Sequence, residues 1–280
     1  VSAVWLAERP RLLGLAYRVL GSWHDAEDVV SQAWLRLSAQ PEGHVDRPEA
    51  WLTTVTTRLA IDRGRQLQAR REDYVGPWLP EPVATELLPE ESVERRESLS
   101  LALLRLMDAL SPEDRAIYVL RHAFDVPYAE IAAVVARSEA ACRQVVRRAS
   151  ARLAAVDVPS PADAAVLQGL VAAISTGDVA GAVALLSEDA VLWTDGGGVV
   201  KAALRPILGP GRIVRFGVGV TGAAGLEPPR LVSVNGGPAL VFSAPDGSLR
   251  CLVLEVRDGL VRTVQLHGNP VKLGALDRPA

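Results

Sequence analysis

The sequence predicts a multidomain chain: two all-α domains, the second containing a helix-turn-helix, followed by an α+β domain. Three observations carry this reading. Apolar residues recur at helical spacing through residues 1–71 and 99–155. The segment Tyr128–Leu153, YAEIAAVVARSEAACRQVVRRASARL, reads as two helices joined around Ala136-Arg137-Ser138. Beyond Val158-Pro159-Ser160-Pro161, alternating Val/Leu segments with Gly and Asp turns take over. A chain of 280 residues, 49% of them hydrophobic, has the length and the apolar content for more than one core.

In the first domain Ser22 is placed to cap a helix, with Asp25 three residues on completing a capping box. Ala26, Val29, Val30, Ala33, Trp34 and Leu37 then form an apolar stripe, and Asp28, Gln32 and Arg36 line the other side. After the turn-rich QPEGHVDRPEA, a second helix is predicted from about Pro48 to Arg70, with Trp51, Leu52, Val55, Leu59 and Ile61 as its apolar residues. Residues 72–98 carry four prolines and many acids in YVGPWLPEPVATELLPEE and read as a linker. Its Trp78-Leu79 pair, between Pro77 and Pro80, fits either docking on a surface or local packing.

Ser111-Pro112-Glu113-Asp114 combines a cap with a first-turn proline, starting a helix that runs to about Phe124. The turn Asp125-Val126-Pro127 leads into the helix-turn-helix, whose second helix Ser138 caps. In the α+β part, helices are predicted over 162–175 and 178–187. Strands follow at Ala190–Trp193, Leu231–Val234, Ala239–Ser243, Leu249–Val256 and Leu260–His267. Asn235-Gly236-Gly237, Asp246-Gly247 and Asp258-Gly259 predict antiparallel hairpins in a curved sheet.

Net charge is −3, low for a protein that binds DNA alone, but it is unevenly spread. Residues 58–71 hold five Arg against Asp62, and residues 137–152 five Arg against Glu139. Between them Glu81, Glu86, Glu90, Glu91, Glu94 and Glu97 form an acidic stretch. Two basic islands on an acidic chain suggest DNA binding that depends on a partner; solvated helix faces are the plainer alternative. Four His and two Cys, with Cys142 and Cys251 alone, give metal chemistry little material, and no cofactor is expected. No apolar run of membrane-spanning length and no signal-peptide pattern occurs, so a cytoplasmic location is expected. Gly217–Gly222, GVGVTG, fits GxGxxG, but AAGLEPPR follows where a helix would have to start. A glycine-rich loop is the expectation there.

The motifs DAEDVVSQAWLRL (25–37), PEAWLTTVTTRLAIDRGR (48–65), WLPEP (78–82) and residues 110–153 together resemble an extracytoplasmic-function sigma factor. DGGG (195–198) and NPVKL (269–273) resemble the SnoaL-like (NTF2-like) domain fused to one subgroup of that family. The resemblance implies region 2 at 1–71, a linker at 72–98, region 4 at 99–157 and a SnoaL-like regulatory domain at 158–280. It implies core RNA polymerase and promoter DNA as partners, no membrane, and a C-terminal domain that modulates activity in place of a separate anti-sigma protein. A small-molecule ligand of that domain stays open. The chain departs from the subgroup after DGGG, where a basic residue usually follows directly but Val199 and Val200 here precede Lys201, at Val271, where Asp is usual, and at Ala136, where Gly is common.

The resemblance places Ser138, Glu139, Arg143, Gln144, Arg147 and Arg148 at the −35 element. Arg pairs guanine and Gln adenine through two hydrogen bonds each, discriminating by about 1–3 kcal/mol per pair. His44, Arg47, Trp51, Arg58, Arg63 and Arg65 are expected at the −10 element, with Trp51 equally suited to the core. Asp25, Asp28, Gln32 and Arg36 are expected to dock on the polymerase. Interdomain regulation is expected from Trp78, Leu79, Pro80, Asp195, Gly196, Gly197, Gly198, Lys201, Asn269, Pro270, Lys272 and Leu273.

Two other functions compete. A ligand-responsive helix-turn-helix regulator would act without polymerase. A cyclase or isomerase would use Asp195 and His267 as acid and base, although Asp195 reads better as a turn residue and His267 as a packed one.

Overall fold

The computed structural model describes residues 2–41, 43–89, 99–155, 158–221, 229–244, 246–274 and 276. Glu90, Glu91, Glu94 and Glu97 of the acidic stretch, and Gly222 of the glycine motif, lie outside the described residues. The chain divides into two compact units. One comprises Val1–Glu72, Leu88–Leu99 and Leu103–Asp157; the other comprises Asp73–Leu87, Ser100–Ala102 and Val158–Ala280. The stretch expected as a linker is therefore shared, with its WLPEP portion grouped with the α+β part.

The first unit opens with α1 (Ser2–Leu20), α2 (Trp23–Ser38) and α3 (Pro48–Arg71). Their buried stripes, including Leu12, Leu15, Val29, Val30, Leu52 and Ala60, form one core. Ser22 caps α2 by accepting from the Asp25 amide at 3.3 Å. Asp25 itself is buried with the apolar stripe, and its carboxylate turns to Arg63.

The rest of this unit is α4 (Leu101–Met107) from Leu103 onward, α5 (Pro112–His122), α6 (Tyr128–Val135) and α7 (Glu139–Ala154). Helix α5 is capped by Ser111, which accepts from the Asp114 amide at 3.1 Å. It ends two residues before Phe124 because Asp125 takes a left-handed φ of 51° and reverses the chain. Ser138 caps α7 by accepting from the Ala141 amide at 3.2 Å. Ala136 ends α6 in the left-handed region at φ 54°, ψ 42°. The turn therefore keeps the geometry that glycine usually supplies, at a steric cost of about 1–2 kcal/mol.

Helices α3 and α5 meet at Gly64. A Cβ there would lie 2.9 Å from the Pro112 Cβ, so only glycine allows this approach. Beside it, the buried Arg115 guanidinium donates to the Arg18 carbonyl at 2.7 Å and pairs with Asp108 at 2.6 Å. Residues 1–71 and 99–155, expected as separate helical domains, pack as one body through these contacts.

The second unit is α+β, as expected. Its described strands are β1 (Ser160–Pro161), β2 (Leu186–Asp195), β3 (Ile207–Leu208), β4 (Arg230–Val234), β5 (Gly237–Ser243), β6 (Leu249–Arg257) and β7 (Leu260–His267). They form one sheet in the order β3-β2-β7-β6-β5-β4, with β1 paired to β6. Only the β2–β7 pairing is parallel among the described strands. The β4–β5 and β6–β7 hairpins turn at Asn235-Gly236 and Asp258-Gly259, all four residues with positive φ.

Helices α8 (Ala164–Thr176), α9 (Val179–Ala184), α10 (Pro210–Thr221) and α11 (Pro270–Leu273) complete this unit. Its core joins Leu167, Leu170, Ile213 and Val214 to Leu192, Leu240, Leu254 and Val264 of the sheet. Two expectations are corrected here. Residues 186–187 belong to β2, not to the preceding helix. Gly217 and Gly219 lie in helix α10 rather than in a loop. The stripe Ile213, Val214, Phe216 and Val220 sets the helical period, and a Cβ on Gly217 would lie 2.9 Å from Ile174.

Candidate nucleic-acid interface

Helix α7 separates its faces cleanly. Cys142, Val145, Val146, Ala149 and Leu153 are buried, whereas Arg143, Gln144, Arg147, Arg148 and Arg152 are exposed. Arg143, Gln144 and Arg147 make short local contacts, whereas Arg152 donates to the Ala109 carbonyl at 2.9 Å. Arg143 pairs with Glu139 at 2.6 Å and lies 4.9 Å from the Tyr128 ring centre. Arg147 donates to Gln144 at 2.9 Å. Solvated contacts of this kind contribute at most about 1 kcal/mol each, so a nucleic acid can displace them. Ser138 is exposed beside them at the helix start, where backbone N–H groups favour an anion.

The region-2 candidates are distributed differently. His44 and Arg47 are exposed in the turn before α3, and Trp51 is half-buried in its first turns. Arg58 is exposed, but its guanidinium donates to the Val134 carbonyl at 2.9 Å and to that of Ala133 at 3.1 Å, at the end of α6. Arg65 pairs with Asp62 at 3.3 Å and with Glu113 of α5 at 3.1 Å. Arg63 places Nη2 2.5 Å and Nε 2.7 Å from Asp25 Oδ1. In this packing the middle of α3 is therefore turned toward partners within the protein.

Asp28, Gln32 and Arg36 line the exposed side of α2, with Leu35 exposed beside them. Asp25 does not join them; it is only 6% exposed. The expectation that it faces a partner is corrected: the helical period turns Asp25 inward with Ala26 and Val29, where a lone carboxylate would be costly without Arg63.

In the second unit the WLPEP segment meets DGGG and NPVKL around one carboxylate. Asp195 ends β2 and is 1% exposed. Its Oδ1 accepts from the Tyr74 hydroxyl at 2.5 Å and the Gly197 amide at 3.1 Å. Its Oδ2 accepts from the Leu79 amide at 2.9 Å and from Lys272 Nζ at 2.6 Å. Lys272 also donates to the Leu79 carbonyl at 2.6 Å and lies 4.0 Å from the Trp78 ring centre. Asn269 donates to the Tyr74 hydroxyl at 2.8 Å and caps α11 by accepting from the Val271 amide at 3.1 Å.

Leu79 and Leu273 are buried here and Pro80 with them; Gly196 is buried beside Asp195. Gly198 sits exposed against Val75. Pro270 and Lys201 are exposed, and neither contributes a polar contact to this cluster. Lys201, expected with this group, makes no polar contact to it among the described residues; the cation that meets Asp195 is Lys272.

Further along, the Val83 amide donates to Asn235 Oδ1 at 2.9 Å, and Ala84 bridges Val234 of β4. Tyr74 and Val83 carried no motif that marked them in the sequence, and Asn235 was marked only as a turn residue.

His267 lies next to Asp195 in the β2–β7 register and is 1% exposed, with neither ring nitrogen hydrogen-bonded. Burial, with Lys272 adding to it and Asp195 opposing, pushes its pKa down to about 3. Cys251 faces it across the β6–β7 pair, and burial pushes that thiol up to about 12. Cys142 and Cys251 are both buried free thiols. Among the described residues no group of His, Cys, Asp or Glu has a metal-binding arrangement. None of the described helices is long and apolar enough to cross a membrane.

Comparison with known proteins agrees with this geometry. Residues 5–71 match the family model Sigma-70 region 2, and residues 100–153 match Sigma-70, region 4. The ECF RNA polymerase sigma factor SigJ of Mycobacterium tuberculosis (strain ATCC 25618 / H37Rv) is 36% identical over 284 residues, covering 95% of this chain and 91% of that protein. The probable ECF RNA polymerase sigma factor SigI of Mycobacterium tuberculosis (strain CDC 1551 / Oshkosh) is 32% identical over 186 residues, covering 64% of each. The crystal structure of Mycobacterium tuberculosis SigJ superposes with a TM-score of 0.74 at 32% identity, covering 98% of this chain and 99% of that one. With both sigma regions in order and a relative matching almost end to end, the chain belongs to the extracytoplasmic-function RNA polymerase sigma factors.

Proposed function

We propose that this sigma factor reads the −35 element with α7 and the −10 element with α3 and the turn before it, under control of its own C-terminal domain. Ser138, Glu139, Arg143, Gln144, Arg147 and Arg148 supply the −35 contacts. His44, Arg47, Trp51, Arg58 and Arg65 supply the −10 contacts. Asp28, Gln32 and Arg36 meet the polymerase core, and Asp25 and Arg63 position the α2–α3 pair. The protein works in the cytoplasm, where the polymerase is.

The observation that carries the regulatory reading is the Asp195–Lys272 pair and its hold on both backbone polar groups of Leu79. The segment 73–87 connects the two sigma regions, so a domain that fixes it limits the spacing and orientation the regions can adopt. That is the role a separate anti-sigma protein would otherwise fill. The C-terminal domain acts by binding, not catalysis: His267 is sealed in the protein and its neutral form is favoured.

The test is in vitro transcription by core polymerase with the full chain and with Lys272→Met. Promoter-dependent initiation by the full chain, with a changed yield for the variant at equal core binding, supports the reading. Initiation that is identical for both proteins removes the regulatory role. Absence of initiation at any promoter, with either protein, removes the promoter assignment.

A further inference from the structure

The sheet of the second unit has a second face that the linker contacts leave unused. Between that face and helices α8 and α10 lies a cavity of about 290 Å³. Phe216, Phe242, Leu252 and Leu266 are among its walls, and among the described residues Ser175 is the only lining one with a polar side chain. A space of this kind gives water few hydrogen bonds and favours an apolar occupant.

A second chamber of about 230 Å³ adjoins it, sharing Phe216, Val220 and Leu266. This one is polar, with Lys201, Arg250, Asp246 and Asp195 on its walls. Asp195 has no acceptor capacity to spare, since each oxygen already accepts two hydrogen bonds. Lys201 has no partner among the described residues. The Arg250 side chain is 5% exposed, yet its carboxylate neighbour Asp246 stands 3.6 Å away and is 52% exposed. Its closer contacts are neutral, Ser248 Oγ at 2.5 Å and the Leu249 carbonyl at 3.1 Å. Among the described lining residues, two cations against one available carboxylate leave the mouth with an excess of one positive charge.

We propose that this paired cavity binds a medium-chain carboxylic acid, its alkyl chain in the apolar chamber and its carboxylate between Arg250 and Lys201. A monoanion matches the excess charge, and the guanidinium can hold a carboxylate through two parallel hydrogen bonds. The shared walls let one molecule span both chambers. Neither claim depends on the promoter assignment or on the regulatory role of the linker contacts.

The test is calorimetric titration of the full chain with decanoate, octanoate and decanol. Saturable one-to-one binding of decanoate is expected. Octanoate, two methylenes shorter, should bind about tenfold more weakly. Decanol, which lacks the charge, should also bind about tenfold more weakly. Lys201→Met, at an exposed position, should weaken decanoate but not decanol, and Val220→Trp should block both. Decanoate binding that is absent, equal to decanol, or unchanged in Lys201→Met overturns the proposal; the last of these holds even where Val220→Trp fails to fold.

Discussion

Lys272 Nζ stands 2.6 Å from Asp195 Oδ2 and 2.6 Å from the Leu79 carbonyl, while the Leu79 amide donates to that same Oδ2 at 2.9 Å. One buried cation and one buried carboxylate thereby close a ring with a single residue of the segment between the sigma regions. Both charges are almost wholly out of water, with side-chain exposures of 9% and 0%. Neither would be tolerable there alone, so the ring holds together or fails as a unit.

Removing the cation tests this directly. Lys272→Met leaves Asp195 buried and short of one partner, and should lower the stability of the second unit by about 3–5 kcal/mol. Denaturant unfolding measures the loss. Hydrogen exchange at the Leu79 amide should speed up relative to the β6–β7 strands; equal protection in variant and parent would show that the ion pair does not hold the segment.

The α3–α5 contact offers a second test, away from the arginines. Gly64→Val forces side-chain carbons against Pro112, which a Cβ alone would already approach to 2.9 Å. Overpacking of this kind costs about 1–3 kcal/mol. The expected outcome is separation of α1–α3 from α5–α7, read as a longer distance between dyes at positions 28 and 148. Buried Cys142 and Cys251 leave introduced surface cysteines as the labelling sites. Arg58 and Arg65 would then be released from the Val134 carbonyl and Glu113, and an unchanged dye distance would contradict this.

Ala136 occupies a backbone conformation that glycine adopts without penalty. Ala136→Gly should stabilise the helix-turn-helix by about 0.5–1 kcal/mol, the relief of left-handed strain less the added freedom of the unfolded chain. A lower urea midpoint for the variant would contradict this.

His267 gives the second unit an acid sensitivity of definite sign. Its folded pKa, about 3, lies below the ordinary 6.5, so the unfolded chain binds the proton more readily between these values. The stabilisation is complete above about pH 6.5 and is lost as the pH falls toward 3, on the order of 5 kcal/mol in all. His267→Leu should flatten this part of the stability curve. Parallel curves for the two proteins between pH 4 and 6.5 would assign the acid sensitivity elsewhere.

Much of the architecture is local physics and was readable in the residues themselves. Ser22, Ser111 and Ser138 cap their helices as their positions imply, because a cap is a bond between neighbours three residues apart. The α7 stripe and its exposed arginines follow from a period of 3.6, and Asn235-Gly236 and Asp258-Gly259 specify their turns through positive φ. The motif order in residues 25–37, 48–65 and 110–153 named the family before any contact was known.

What the residues left open are pairings between distant parts of the chain. DGGG and NPVKL were marked as contacts for WLPEP with both Lys201 and Lys272 among them, and the residues did not say which lysine meets Asp195; that Lys272 does rests on the β2–β7 register and the α11 turn. Asp25 read as exposed until Arg63, 38 residues away, took its carboxylate inside. Tyr74 gave no signal at all, because a lone aromatic in a loop acquires meaning only from Asp195 and Asn269. Helical period and turn chemistry fix which side of an element is apolar; only the packed chain decides which buried charge meets which, since that energy exists once water has been removed from both.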